Sequence, residues 1–565
     1  MQGVTGITSM AYDPDGRQSA VVNGAGLALA YGYDATGNRT GMIDPGGGVT
    51  TYGYDADGRL TGIANPYAEV TTIGYDALGR EYNKVLANGV LVSHSYDAAG
   101  RDVGLSQVGP AGAAKGWYTA SYDAVGNRLD QAELDGSVVS YGYDNADQLT
   151  HEARVGTEPY DITYAYDRVG NRAQMLGSGA ITTMVYNEAD ELVQAIAPDS
   201  AVTTISYDAN GNTEVINANG QVTTNSWDSE NRLVGVVNPD STVETHAYAA
   251  NGLRQSKSVA GAVTNFLWDD QNILQERDGA LALLADYTLF PGFWGGLALM
   301  RRSGASYFYG FDLQGSTRAL TDALAAVTDR YWMTAFGVEV ASSGPTANPF
   351  LFEGLFQYYR DWAWRMQVGA RDLEPDWGRW LSTDPLGAGY IYVQNRPVCF
   401  IDPSGFVITA PRNPVPAEPP PWFRTNVPKA PRPTCPCIPP WAFGIGLGLW
   451  WLLTPSPTGD PEDTPAFQRM LDEQCRRQSE ECNEKWQSCT EQCEKLSRKI
   501  FDAVRALFGA KQARLSTKRW DICCHDWCSA AHDACVDGYD VKDFSCNENL
   551  PRTKKKRVDG QFPIW

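Results

Sequence analysis

The chain has 565 residues, 46 basic against 67 acidic side chains, a net charge of −21, 43% hydrophobic and 11% aromatic residues, and 56 glycines. It is too apolar to be disordered, and with charged residues at only 20% it is neither a coiled coil nor a collagen-like rod. Roughly three or four domains, or one long turn-rich β array, are expected.

Charge and cysteine are unevenly spread. Residues 1–406 carry 24 basic and 47 acidic side chains, whereas residues 407–565 carry 22 and 20, and 11 of the 12 cysteines lie in that second part. Two physically different parts share one chain. Phosphate surfaces repel the acidic part, so no nucleic-acid partner is expected.

From the amino end, a Tyr-Asp dipeptide followed by a Gly-Arg or Gly-Asn-Arg turn stands at Tyr12, Tyr33, Tyr54, Tyr75 and Tyr96, each 21 residues from the last. The series continues at Tyr122, Tyr143, Tyr166, Tyr186, Tyr207, Trp227, Tyr248 and Trp268, making 13 copies. Between them lie alternating runs such as Gly48-Val-Thr-Thr-Tyr-Gly-Tyr-Asp55, the period-2 signature of a half-buried strand. The Asp-x-x-Gly segment supplies a reverse turn, with Gly taking positive φ and Asp bonding back to the backbone. Each repeat therefore reads as a hairpin that cannot bury a face alone and must stack on its neighbours. The tyrosines and aspartates are read as sheet packing and turn chemistry in preference to a sugar-binding surface. His94, His151 and His246 show no metal-ligand spacing.

Four further blocks follow. These are Tyr307-Phe-Tyr-Gly-Phe-Asp-Leu-Gln-Gly-Ser-Thr-Arg-Ala-Leu-Thr-Asp322, Asn348-Pro-Phe-Leu-Phe-Glu-Gly354, Gly369-Ala-Arg-Asp-Leu-Glu-Pro-Asp-Trp-Gly-Arg-Trp-Leu-Ser-Thr-Asp-Pro-Leu-Gly387 and Asn395-Arg-Pro-Val-Cys-Phe-Ile-Asp-Pro-Ser-Gly405. With the repeats, they make residues 1–406 resemble an RHS/YD-repeat protein with its RHS-repeat-associated core, a polymorphic toxin. The resemblance implies a mainly β fold, an antiparallel sheet spiralling into a shell over 1–285 and a core over 286–406 that cuts the chain. The chain's own carboxyl-terminal part would be the enclosed cargo.

For the cut, the resemblance implies Arg371, Asp372 and Asp384, with paired carboxylates to move protons and a cation to polarise the carbonyl. The Gly378-Arg379 turn between them is expected to bring Asp372 and Asp384 together across a hairpin. Asp402 is read as an Asp-Pro turn former. The family's cleavage motif spans Pro397 to Gly405 and is followed by Phe406 where leucine is usual, which places scission between Phe406 and Val407. The chain begins inside a repeat, no signal peptide is evident, and 13 repeats are few for a closed shell. A fragment, or a shell completed by another chain, is expected.

Residues 407–463 hold a proline-rich linker, with 12 prolines in 411–440, and the apolar run 441–453, which is too short for a bilayer span. Residues 464–565 read as a small, cysteine-rich, mainly α domain. There Cys475, Cys482, Cys489 and Cys493 fall on one helix face, positioned for disulfides in an oxidising compartment. Cys528-Ser-Ala-Ala-His-Asp-Ala-Cys535 resembles the active-site helix of secreted phospholipases A2, which implies His532 as the base and Asp533 as a calcium ligand. Asp537, Asp540 and Asp543 are candidates to orient His532. A zinc site among Cys523, Cys524, His525, Cys528 and His532 is a competing reading, and a disulfide-stapled hairpin with incidental histidines is another.

The expected function is a secreted or cell-surface toxin delivered to a target cell. Its partners would be an immunity protein, secretion machinery and a membrane lipid substrate, and the shell and core would need no cofactor. The alternative is a non-enzymatic surface or carbohydrate-binding protein with a structural tail.

Overall fold

The structure is a computed structural model and describes residues 8–409, apart from 293–295, 362–364 and 388. Within that range the fold is almost wholly antiparallel β. A 32-stranded sheet runs in chain order from Ser9–Tyr12 to Glu339–Ser343, each strand pairing with the next. A second sheet of four strands follows, formed by Tyr359–Arg360, Met366–Val368, Arg371–Glu374 and Arg379–Trp380.

The repeat chemistry explains why the sheet grows so regularly. In a typical turn, Asp55 Oδ1 accepts the amides of Asp57 at 3.0 Å and Arg59 at 2.9 Å, while Arg59 Nε donates to Asp55 Oδ2 at 2.8 Å. Gly58, at φ 76°, supplies the left-handed position that the turn needs. From Tyr33 onward, the aromatic residue of each repeat reaches back one hairpin. The Tyr54 hydroxyl donates to the Arg39 carbonyl at 2.9 Å, Tyr75 to Leu60 at 2.7 Å and Tyr96 to Glu81 at 2.7 Å. Where tryptophan replaces tyrosine, its ring N–H makes the same bond, from Trp227 to Thr213 and from Trp268 to Arg254, both at 2.8 Å. The turn arginines lie over the next repeat's ring, as Arg80 does over Tyr96. These hydroxyls and carboxylates are thus engaged within the protein.

The sheet curls until late strands meet early ones. The Tyr31 hydroxyl donates to Asp269 at 3.0 Å, Asn65 Nδ2 to Thr288 Oγ1 at 3.0 Å, and the Ala335 amide to Glu152 at 2.8 Å. Alternate side chains point inward, so Leu29, Tyr31, Met42, Tyr52 and Ile63 form one core with Phe266, Ile273, Leu274 and Tyr287. Residues after the long sheet pack on its buried face. Phe352, Tyr358, Met366, Val368, Trp380 and Tyr392 cluster with Leu149 and Tyr164, and Trp377 packs against the Met184, Leu192 and Ile205 cluster.

Candidate functional site

Two turns of the core reuse the repeats' local chemistry. In Asp384-Pro-Leu-Gly387, Asp384 Oδ1 accepts the Leu386 amide at 2.7 Å, and the Gly387 amide donates to the Asp384 carbonyl at 2.9 Å. In Asp402-Pro-Ser-Gly405, the Gly405 amide donates to the Asp402 carbonyl at 3.2 Å, with Gly405 at φ 71°. Asp402 Oδ1 accepts the amides of Phe406 at 2.9 Å and Val407 at 2.8 Å, together with the Ser404 hydroxyl at 3.0 Å. Ser404 Oγ also accepts from both amides, at 3.0 Å each. Below this loop, Ile401 and Thr409 exchange backbone hydrogen bonds of 2.8 and 2.7 Å, so the Phe406–Val407 bond sits in a closed loop.

Arg371 joins the two turns. One guanidinium nitrogen, Nη2, lies 3.0 Å from Asp384 Oδ2 and 3.2 Å from Asp402 Oδ2. Its Nε donates to the Gly405 carbonyl, and its plane stacks 4.1 Å from the Trp380 ring. All three charged residues are buried, while Val407 is 41% exposed. Burial pushes the Asp402 carboxyl above the usual carboxylate range, and the Arg371 guanidinium pulls it partly back. Burial likewise lowers Arg371, against the opposing pull of Asp402 and Asp384. The loop approaches strand Arg371–Glu374 so closely that a Cβ on Gly369 would collide with the Ser404 carbonyl.

Asp372 is placed elsewhere. Neighbouring residues of a strand face opposite ways, so with Arg371 turned to the loop, Asp372 faces Arg365, whose Nε lies 3.4 Å from its Oδ1. The expected meeting of Asp372 and Asp384 across the hairpin does not occur. Asp372 instead belongs to a buried charged cluster in which Arg365 pairs with Glu244 at 3.0 Å and Arg254 with Asp361 at 2.5 and 3.1 Å. Burial raises the Asp372 carboxyl, opposed chiefly by Arg365. Only its backbone links it to the site, through the Leu381 amide donating to its carbonyl at 2.9 Å. Asp402, read as a turn former, does shape a turn, but its carboxylate also lies at the centre of the loop. A sequence signal for this was present. Asp402-Pro-Ser-Gly405 repeats the Asp-x-x-Gly turn with Phe406 where the repeats carry arginine or asparagine.

Comparison with known proteins agrees with this architecture. The RHS Repeat model matches residues 12–49 and 40–70, and the Teneurin YD-shell model matches residues 81–277. Residues 12–70 and 81–277 thus carry RHS/YD repeats. Among solved structures, a Tc holotoxin pore of Photorhabdus luminescens shares the RHS/YD fold at TM-score 0.55 and 18% identity, over 68% of this chain and 21% of that one. TcdB2–TccC3, alone and with Cdc42, matches at TM-score 0.53 and 16% identity, over 71% of this chain and 24% of those. This RHS/YD chain thus spans less than a quarter of the length of those structures. No curated protein matches it.

Among the described residues no group of three or more His, Cys, Asp and Glu side chains converges as a metal site. His94 is instead 2.9 Å from Asp102, and His246 is 3.1 Å from the Leu233 carbonyl. The linker, the apolar run, His532, Asp533 and the paired-cysteine pattern all lie outside the described residues.

Proposed function

We propose that this chain is a toxin carrier of the RHS type, in which the sheet forms a shell and the core cuts its own chain between Phe406 and Val407. The observation carrying this reading is the convergence of Asp384 and Asp402 on Arg371 beside that bond. Arg371, fixed on the Gly405 carbonyl, orients the loop and offsets negative charge as the tetrahedral intermediate forms. Asp384 is the base that takes a proton from the attacking water. Asp372, the remaining member of the triplet implied by resemblance, acts from the far side of the hairpin by keeping the Arg371 strand in place.

The freed part begins at Val407 and is the cargo. Its effector is a phospholipase A2-like lipid hydrolase with His532 as base and Asp533 on calcium, and zinc is the competing metal. Delivery to a target cell, an immunity protein in the producer and a secretion machine follow from a toxin role. The structural neighbours support this context, since one is a Tc holotoxin pore and others are TcdB2–TccC3 structures.

Intact mass of the purified chain beside an Asp384→Asn variant, under denaturing conditions, tests the reading. Two fragments meeting between Phe406 and Val407 are expected in the parent, with one uncut mass in the variant. One uncut mass in both would overturn self-cleavage. Fragment 407–565 released by the cut should then hydrolyse phospholipid vesicles in calcium, lose that activity on chelation, and lose it in His532→Ala.

A further inference from the structure

We infer that a cavity between the repeat array and the core is a binding site for one small monovalent anion, of the size of chloride, with Arg128 as its counter-ion. The site is independent of the self-cleavage reading. Eight arginines are buried among the described residues. Five of them pair with a carboxylate: Arg154 and Arg318 with Glu133, Arg254 with Asp361, Arg365 with Glu244, and Arg371 with Asp384. Arg172 and Arg379 lie against aromatic rings and donate to backbone carbonyls. Arg128 donates to Gln131 Oε1 at 3.3 Å, meets no carboxylate at ion-pair distance among the described residues, and has an Nε without a partner. A buried charge with no opposite charge is strongly destabilising, and a guanidinium, unlike a carboxyl or an amine, cannot escape by giving up its proton.

Arg128 lines a cavity of about 30 Å³ together with Gln131, Tyr141, Tyr160, Ser316 and Arg318. One water needs roughly 10–15 Å³, so the space takes a single halide-sized ion and excludes a phosphate ester or a metabolite. Arg128 begins the array strand Arg128–Glu133, whereas Ser316 closes a turn of the core on Asp312. Ser316 Oγ accepts the Glu353 amide at 3.1 Å, and its hydroxyl hydrogen, with Arg128 Nε, is a donor for the ion. An anion held by both would tie the array to the core.

The chain's own carboxylates near the cavity are committed elsewhere. Asp312 Oδ1 accepts the amides of Gln314, Gly315 and Ser316, and its Oδ2 lies 3.4 Å from Arg318. Glu133 is shared by Arg154 at 2.8 Å and Arg318 at 2.9 Å. Asp135, 3.8 Å from Arg154, has a side chain 38% exposed, where water screens it. Glu353 is the remaining candidate. Burial, with Asp312 adding repulsion, pushes its carboxyl well above the usual carboxylate range, which keeps it protonated at neutral pH. Among the described residues neither of its oxygens has a hydrogen-bond partner, as an ionised carboxylate in that place would need. Arg128, Arg154 and Arg318 therefore face only Glu133 and Asp312, and the surplus is a single positive charge at the cavity wall.

Melting of the full chain, with sodium gluconate exchanged for sodium chloride at constant ionic strength, provides the test. The parent should gain about 2–4 °C, the gain should saturate with chloride, and bromide should act alike. Arg128→Met should show no such dependence, while Arg172→Met, which removes another buried arginine without a carboxylate, and Glu353→Gln should both keep it. Crystals of the parent grown with bromide should carry an anomalous peak beside Arg128, which decides the matter if Arg128→Met does not fold. No chloride-specific gain in the parent, a gain that survives in Arg128→Met, or water alone beside Arg128 would overturn the inference. So would a gain confined to Glu353→Gln, because Glu353 would then be the native counter-ion of Arg128.

Discussion

The repeat turns and the turn at the proposed cleavage site share one sequence pattern and use it for opposite ends. Asp55 finds its cation four residues on, in Arg59, and the pair sits at a solvent-facing tip. Asp402 has Phe406 at that place, so its carboxylate takes Arg371 from a strand 31 residues away. A turn that supplies its own counter-ion is satisfied as soon as it forms, which lets hairpins add one after another with little dependence on distant structure. A turn that borrows its counter-ion is satisfied only when the whole core has assembled. The carboxylate pair beside Phe406 therefore comes together only in a finished fold, and the proposed cut would be tied to folding.

Returning the missing arginine is the most direct way to break that contrast. Phe406→Arg gives Asp402 a local partner, as Arg59 is to Asp55, and draws it off Arg371. Cleavage should slow by about a hundredfold in a time course on denaturing gels, and an unchanged rate would show that the borrowed cation is immaterial. Next in size is the buried cluster behind the site. Among the described residues, Arg254→Met leaves buried Asp361 with Lys257 at 3.4 Å as its ion-pair partner, and unfolding by urea should show a loss of about 3–5 kcal/mol.

A smaller effect tests where late strands touch early ones. Burial pushes the Asp286 carboxyl up to about 6, although Tyr67 and Gln275 both donate to it. The folded state therefore holds this proton more tightly than the unfolded chain. Its contribution is full below about pH 4 and is lost as pH rises through 6, on the order of 2–3 kcal/mol. Melting curves from pH 4 to 7 should show that decline, and Asp286→Asn should flatten it. Smallest is Tyr54→Phe, which removes one hydroxyl from the Arg39 carbonyl and should cost about 1 kcal/mol without changing cleavage. A change in cutting rate would show that the array and the core are coupled more tightly than their separate turn chemistry implies.

The array was legible in the sequence because its logic is local. In most turns Asp, Gly and an Arg or Asn meet within five residues, and the 21-residue period reports the aromatic clasp between successive hairpins. The core was legible only where its contacts are short-range or its blocks resemble a family. Arg371 and Asp384 do meet, as the motif implied. Asp372 was expected on the same side, yet adjacent strand residues cannot both face one loop, and that period-2 rule was available from the sequence. Asp402 was undervalued because its partner Arg371 is supplied by tertiary structure, which no spacing reveals.

The Ile401–Thr409 bridge has a consequence for what happens after the bond breaks. A cut at Phe406 leaves Val407, Ile408 and Thr409 still clipped to Ile401, and it replaces a neutral amide by two ionic ends. The new ammonium of Val407 would lie against the Asp402 carboxylate, while the Phe406 carboxylate lies in the neighbourhood of Arg371. The proposed scission would convert one chain into two without parting them, and so would be an arming step. Separation is left to a later event that pulls a short, charge-fastened tether out of its socket.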